Sequence, residues 1–322
     1  MIRTTFYEQE SANRRESVLL VLIVLVVLAL FGFAIGYGTS GYPEAGIAVT
    51  IGALVLGGLV SVGSYFAGDQ LVLSSSGAKE VDPQSAPQLI DVVQEMAIAA
   101  GVPMPKVYVI DDSAPNAFAT GRDPNHASVA ITSGLLQKLD REELQGVLGH
   151  ELSHVRNLDI RFGLLVAVLV GSIALLADVF LRFSWFGGGR SRDRNAGGAA
   201  AIVFVLAIIL AILAPIFARL VQLAVSRQRE YLADSSSVEL TRNPHGLARA
   251  LAKIAGDQEV LEAANRATAH LYFTNPIKKF EARSSSMFST HPPIVDRINR
   301  LRQLTGDPPL AEADVRALTG LD

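Results

Sequence analysis

His150-Glu151-Leu152-Ser153-His154 is the part of this sequence richest in chemistry. On an α-helix, residues four apart lie on one face, one turn above the other. Two imidazoles so placed can reach a single tetrahedral zinc ion at roughly 2.0–2.1 Å. Glu151 then lies beside the metal without ligating it. There it can take a proton from the attacking water, the general-base role in metal-assisted peptide hydrolysis. Taken alone, the pattern also arises by chance, and two exposed histidines on a helix face need no metal.

A zinc site needs a third ligand. Arg229-Glu230-Tyr231-Leu232-Ala233-Asp234 offers two carboxylates on one helix face. Glu230 can complete a His2Glu set and leave the fourth position to water or the scissile carbonyl. Asp234 can accept the remaining N–H of a ligand histidine and fix its tautomer. The competing reading of both is a solvated helix face. One Zn2+ per chain is expected. His291 precedes Pro292-Pro293 and is held extended. It is a candidate donor to the oxyanion of a tetrahedral intermediate, a positioner of the base, or a structural hydrogen-bond partner.

The elements that must hold these groups are legible in part. Asp140 with Glu143 is a capping-box start to the motif helix, whose Leu144, Val147, Leu148 and Leu152 face a core. Ala86–Ala100 reads as a helix with Leu89, Val92, Val93, Met96 and Ala100 inward and Gly101 closing it. Strands are expected at Lys106–Ile110, Asn116–Gly121 and Ser128–Thr132, after a linker beginning at Gln70. Beyond Asp234 a helix is expected to about Ile254. The helix Ile294–Leu304 shows a packing stripe and no evident chemistry.

Composition bounds the setting. The 322 residues are 50% hydrophobic and 18% charged, with mean hydropathy +0.33, apolar for a soluble enzyme. A net charge of −3 carries no nucleic-acid signature. The absence of cysteine excludes disulfides, thiolate ligands and cysteine nucleophiles. Val18–Tyr37 and Ala45–Ala67 are each long enough to cross a bilayer, which takes about 20 residues, and a short turn joins them. Phe162–Leu181, interrupted by Asp178, and Ala199–Leu220, containing Pro215 and Arg219, read as a second hairpin that enters the membrane. Arg3, Arg14 and Arg15 place the N-terminus, and with it the motif-bearing region, on the cytoplasmic side. Arg182, Arg190, Arg192 and Arg194 in the second hairpin's loop pull the other way. Four parts follow: an N-terminal hairpin at 1–68, a first catalytic part at 69–159, a membrane hairpin at 160–225 and a second catalytic part at 226–322.

Asn116-Ala-Phe-Ala-Thr-Gly121, the H-E-L-S-H and R-E-Y-L-A-D segments and Phe288-Ser-Thr-His-Pro-Pro293 occur in order behind an apolar hairpin. In this the chain resembles the HtpX family of membrane-bound zinc metalloproteases, relatives of the CAAX prenyl proteases. The resemblance implies an α+β, mostly helical, zincin-like domain of gluzincin type with a small sheet, beside four transmembrane or membrane-embedded helices. It implies His150, His154 and Glu230 as zinc ligands, Glu151 as base and Asp234 behind the ligands. It also implies Asn116, Ala117, Phe118 and Ala119 as an edge strand to which substrate backbone adds. The implied activity is endoproteolysis of unfolded or damaged membrane proteins in a prokaryotic inner membrane. A prenyl-protein protease and a non-catalytic zinc-binding scaffold are the alternatives. The oligomeric state is not readable.

Overall fold

The structure is a computed structural model. It describes residues 6–160, 229–257, 271–274 and 292–319, with 178, 205, 208–209, 227, 259 and 261–262 besides. Two compact units divide the chain. One gathers Met1–Glu10, Ala67–Gly163 and Leu223–Asp322; the other gathers Ser11–Phe66 and Leu164–Gln222.

Helices α1 (Phe6–Ser40) and α2 (Pro43–Ser75) contain the first two apolar runs. They meet through small residues. A Cβ on Gly36 would lie 2.3 Å from the Ala45 carbonyl oxygen, so only glycine permits this approach. The Thr50 hydroxyl donates across to the Ala29 carbonyl at 3.2 Å. Among the described residues no helix is long and apolar enough to cross a membrane. The third and fourth apolar runs lie outside the described residues apart from isolated positions. Helix α2 runs on past Ala67, so Gln70–Ser75 is helical where a linker was expected. The reason is tertiary: Leu73 is buried in a cluster with Tyr108, Ile110 and Phe118.

The unit that holds the motifs is a mostly helical α+β structure with one small sheet. The strands are β1 (Lys79–Glu80), β2 (Lys106–Ile110), β3 (Ala117–Gly121) and β4 (Ala127–Thr132), in the order β1-β2-β4-β3. β2 and β4 run parallel, and β3 pairs antiparallel with β4, setting Phe118 opposite Ala130. The three expected strands form within a residue of their expected bounds. β1 is too short to show in a sequence pattern.

Helix α3 (Pro87–Ala100) ends at Gly101, whose φ of 68° suits glycine. It buries Leu89, Val92, Val93 and Met96 as expected. After the short α4 (Ser133–Lys138) comes α5 (Arg141–Arg156), the motif helix. Both halves of its capping box form: the Asp140 carboxylate accepts from Glu143 N at 2.9 Å, and Asp140 N donates to Glu143 at 2.9 Å. Residues 229–241 form α6, and Pro244–Gly256 form α7. The expected single helix to Ile254 therefore breaks. Arg242 has φ 54°, the Asn243 side chain accepts from Gly246 N, and Pro244, with no N–H to give, opens α7. Helix α8 (Ile294–Thr305) follows, closed by Gly306, and then α9 (Glu312–Thr319).

Candidate metal centre

Glycine lets two helices approach closely enough to complete the site. Gly146 lies where a Cβ would come within 2.8 Å of Leu247 N on α7, and Gly149 where it would come within 3.0 Å of Ser237 Oγ on α6. Ser237 Oγ donates to the Gly146 carbonyl at 2.6 Å and ties α6 to α5. The helix carrying Glu230 and Asp234 is thereby held against the helix carrying His150 and His154.

The outcome is a convergence of electron-rich atoms. His150 Nε2 and His154 Nε2 lie 3.1 Å apart. Each is 3.5 Å from an oxygen of Glu230. Tetrahedral ligands at 2.0–2.1 Å from zinc stand roughly 3.4 Å from one another. The observed spacings bracket that value. Among the described residues, this trio is the one group of three or more potential ligands close enough to hold an ion.

The far nitrogens are committed elsewhere. His150 Nδ1 is 2.9 Å from Asp234 and His154 Nδ1 is 3.0 Å from Asp159. Each carboxylate faces an arginine. Arg297 donates to both oxygens of Asp234, at 2.9 and 2.7 Å, and also to the Phe273 carbonyl at 3.1 Å. Arg229 Nε lies 3.5 Å from Asp159. With Nδ1–H given to a carboxylate, each Nε2 presents a lone pair to the shared centre. Glu151, Asp159, Glu230 and Asp234 against Arg229 and Arg297 leave a formal charge of two negatives. A divalent cation neutralises it, so the donor set fits zinc.

Electrostatics follow from burial. Burial pushes the Glu151 carboxyl upward; the histidines and the Ala119 N–H oppose this, while Glu230 adds to it. Burial also works against the Asp234 carboxylate, but the Arg297 charge and the His150 hydrogen bond prevail and lower its pKa. Burial opposes charge on His154, yet the hydrogen bonds and charges of Asp159 and Glu230 hold its pKa well above the ordinary value. Surroundings that draw a proton to His154 draw a cation for the same reason.

The edge strand has a more specific arrangement than the resemblance implied. Phe273 N donates to the Ala117 carbonyl at 2.7 Å, and the Asn116 amide donates to the Thr274 carbonyl at 3.0 Å. The Asn116–Ala117 end of β3 thus already pairs with the chain's own residues. The Ala119 N–H is near enough to lower the Glu151 pKa, which sets the strand beside the expected base. His291 lies outside the described residues.

Two site residues escaped the sequence reading. Arg297 sits on α8, where no chemistry was expected, yet it is buried and bonded to Asp234. Its signal was a charged residue between Ile294 and Ile298 on the apolar stripe. Asp159 gave a weaker signal, a carboxylate just past the motif helix.

The model of peptidase family M48 matches residues 83–305. The chain belongs to peptidase family M48. Among relatives of this M48 member, the protease HtpX homolog of Streptococcus uberis is 45% identical over 300 residues, 92% of this chain and 99% of that protein. The protease HtpX homolog of Caldanaerobacter subterraneus subsp. tengcongensis is 44% identical over 307 residues, 95% of this chain and all of its own length (100%). The crystal structure of S. mikatae Ste24p is a looser likeness, with 17% identity and a TM-score of 0.48 over 89% of this chain and 66% of that one. Family and relatives bear out the expected membrane metalloendopeptidase, with zinc as its cofactor.

Proposed function

We propose that this M48 peptidase holds one zinc ion with His150, His154 and Glu230 and cleaves unfolded or damaged membrane proteins at the cytoplasmic face of a prokaryotic cell membrane. The observation that carries the site assignment is the convergence of three ligand atoms at 3.1–3.5 Å beside buried Glu151. Zinc, when bound there, supplies Lewis acidity toward the scissile carbonyl and the attacking water. Glu151 takes the proton from water and returns it to the leaving amine. Its raised pKa suits a group that must both accept and release a proton. Asp234 holds the tautomer of His150. Substrate backbone adds at the Phe118–Ala119 end of β3, beyond the stretch that pairs with Phe273 and Thr274.

The catalytic module comprises 69–159 and 226–322, and 160–225 enters the membrane as a hairpin. The membrane reading is supported by the apolar runs Val18–Tyr37 and Ala45–Ala67 of the sequence, which α1 and α2 contain. It is supported further by their outward apolar side chains. Leu22, Val26 and Leu30 on α1, and Ile51, Val55, Leu59 and Phe66 on α2, are each more than half exposed.

The test is zinc content and casein cleavage by the full chain in detergent, beside Glu151→Gln. The parent should hold about one zinc and cleave. The variant should keep its zinc and lose on the order of 10²- to 10⁴-fold in rate. Near-normal cleavage by Glu151→Gln would remove Glu151 from the mechanism. The same variant used as a trap in cells should retain damaged membrane proteins; recovery of soluble proteins alone would refute the substrate class.

A further inference from the structure

The two ligand histidines are supported alike. His150 leans on Asp234, which Arg297 holds. His154 leans on Asp159, which Arg229 faces. Asp159 is buried, and its two oxygens are divided between the partners, Oδ2 toward the imidazole at 3.0 Å and Oδ1 toward the guanidinium at 3.5 Å. The backbone is bent to bring this about. Helix α5 ends at Arg156, Asn157 closes it, and Leu158 takes φ 61°, in the left-handed region that a leucine disfavours. That turn sets the Asp159 carboxylate against His154 in the last turn of the helix. A non-glycine residue kept in that conformation beside a metal centre indicates that the surroundings impose it.

We propose that Asp159, held by Arg229, is a second positioning carboxylate for the metal, fixing the Nδ1–H tautomer of His154 and aiming its Nε2 at the ion as Asp234 does for His150. The inference rests on His154 being a ligand. It also places the support of one ligand at a particular point of the chain. The unit containing the site gives up the chain at Gly163 and takes it back at Leu223. Asp159 lies just before that excursion and Arg229 just after it, so their pairing joins its two ends within this unit.

The experiment is zinc affinity by chelator competition on the full-length protein in detergent, with the Co2+ absorption spectrum of each variant as a reporter of ligand geometry. Asp159→Leu, near in size and without an acceptor, should weaken zinc binding roughly 10–100-fold and alter the Co2+ spectrum. Asp159→Asn keeps an acceptor oxygen and should fall between that variant and the parent. Leu158→Gly should keep parental affinity, because glycine adopts the same φ without a side-chain clash. Parental zinc affinity with an unchanged Co2+ spectrum in a folded Asp159→Leu would overturn the proposal. If that variant does not fold, the same result in Asp159→Asn would overturn it. Failure of the underlying reading looks different: the parent itself would take up no zinc, or His154→Ala would keep full affinity.

Discussion

Arg297 links the carboxylate behind His150 to the third expected ligand. It is buried, bonds both oxygens of Asp234 and lies 3.6 Å from Glu230. Replacing it with leucine leaves two carboxylates buried without their cation. Loss of one partner of such a pair costs about 3–5 kcal/mol. The pH dependence follows from the Asp234 carboxyl, which Arg297 and His150 hold below its ordinary pKa against the pull of burial. Because the folded pKa is lowered, the stabilisation is present above the unfolded value and is lost as pH falls through the folded one. Arg297→Leu should move that loss to higher pH. Denaturation midpoints measured across the acid range will check this; an unchanged acid limb in the variant would refute it. Sequence reasoning reached Asp234 because its four-residue spacing from Glu230 is a local signal. It did not reach Arg297, because the two meet only when α8 packs beside α6.

At the scale of elements, ligand placement depends on how closely α5, α6 and α7 approach. Gly146 is the point of least tolerance, since a Cβ there would fall within 2.9 Å of two Leu247 backbone atoms. Backbone cannot yield as the end of a flexible side chain can. Gly146→Ala should therefore destabilise the chain by about 1–3 kcal/mol and lower zinc affinity as α6 and α7 shift. Gly256→Ala, where a Cβ meets nothing within 4 Å, should leave both unchanged. Thermal unfolding and zinc titration of the pair provide the check; equal behaviour would show that the close contact is not limiting. The capping box and the α3 stripe were readable because capping and periodicity act within a few residues. The helix break at Asn243-Pro244 was present in the sequence as a cap followed by proline, but the apolar stripe of Leu247, Leu251 and Ile254 runs straight through it. The helical continuation over Gln70–Ser75 was not readable, because a buried Leu73 partnered from β2 and β3 decides it.

For the whole molecule, the proposed orientation is open to a clean measurement. The chain contains no cysteine, so a single introduced thiol reports its own location. A cysteine at Ser75, exposed at the end of α2, should be labelled only when a membrane-impermeant reagent reaches the cytoplasmic side. Labelling from outside intact cells would overturn the orientation argued from Arg3, Arg14 and Arg15. The division into two units bears on this scale as well. The unit with the metal centre is assembled from stretches far apart in the chain, so its ligands are brought together by packing and not by sequence proximity.

The amino-acid sequence alone determined the metal chemistry. On a helix, H-E-x-x-H sets two histidines on one face with a glutamate beside them, because 3.6 residues per turn set that geometry locally. It also determined the apolar runs, the capping box and the three longer strands, all short-range patterns. Tertiary structure alone decided that Asn116 and Ala117 pair with Phe273 and Thr274, and that Arg297 and Asp159 support the histidines. These contacts join residues that reach one another through helix packing, strand-edge pairing or an unusual backbone turn. A buried charge is tolerated only where its partner arrives in the same fold, so such partners become visible only once the chain has closed around them.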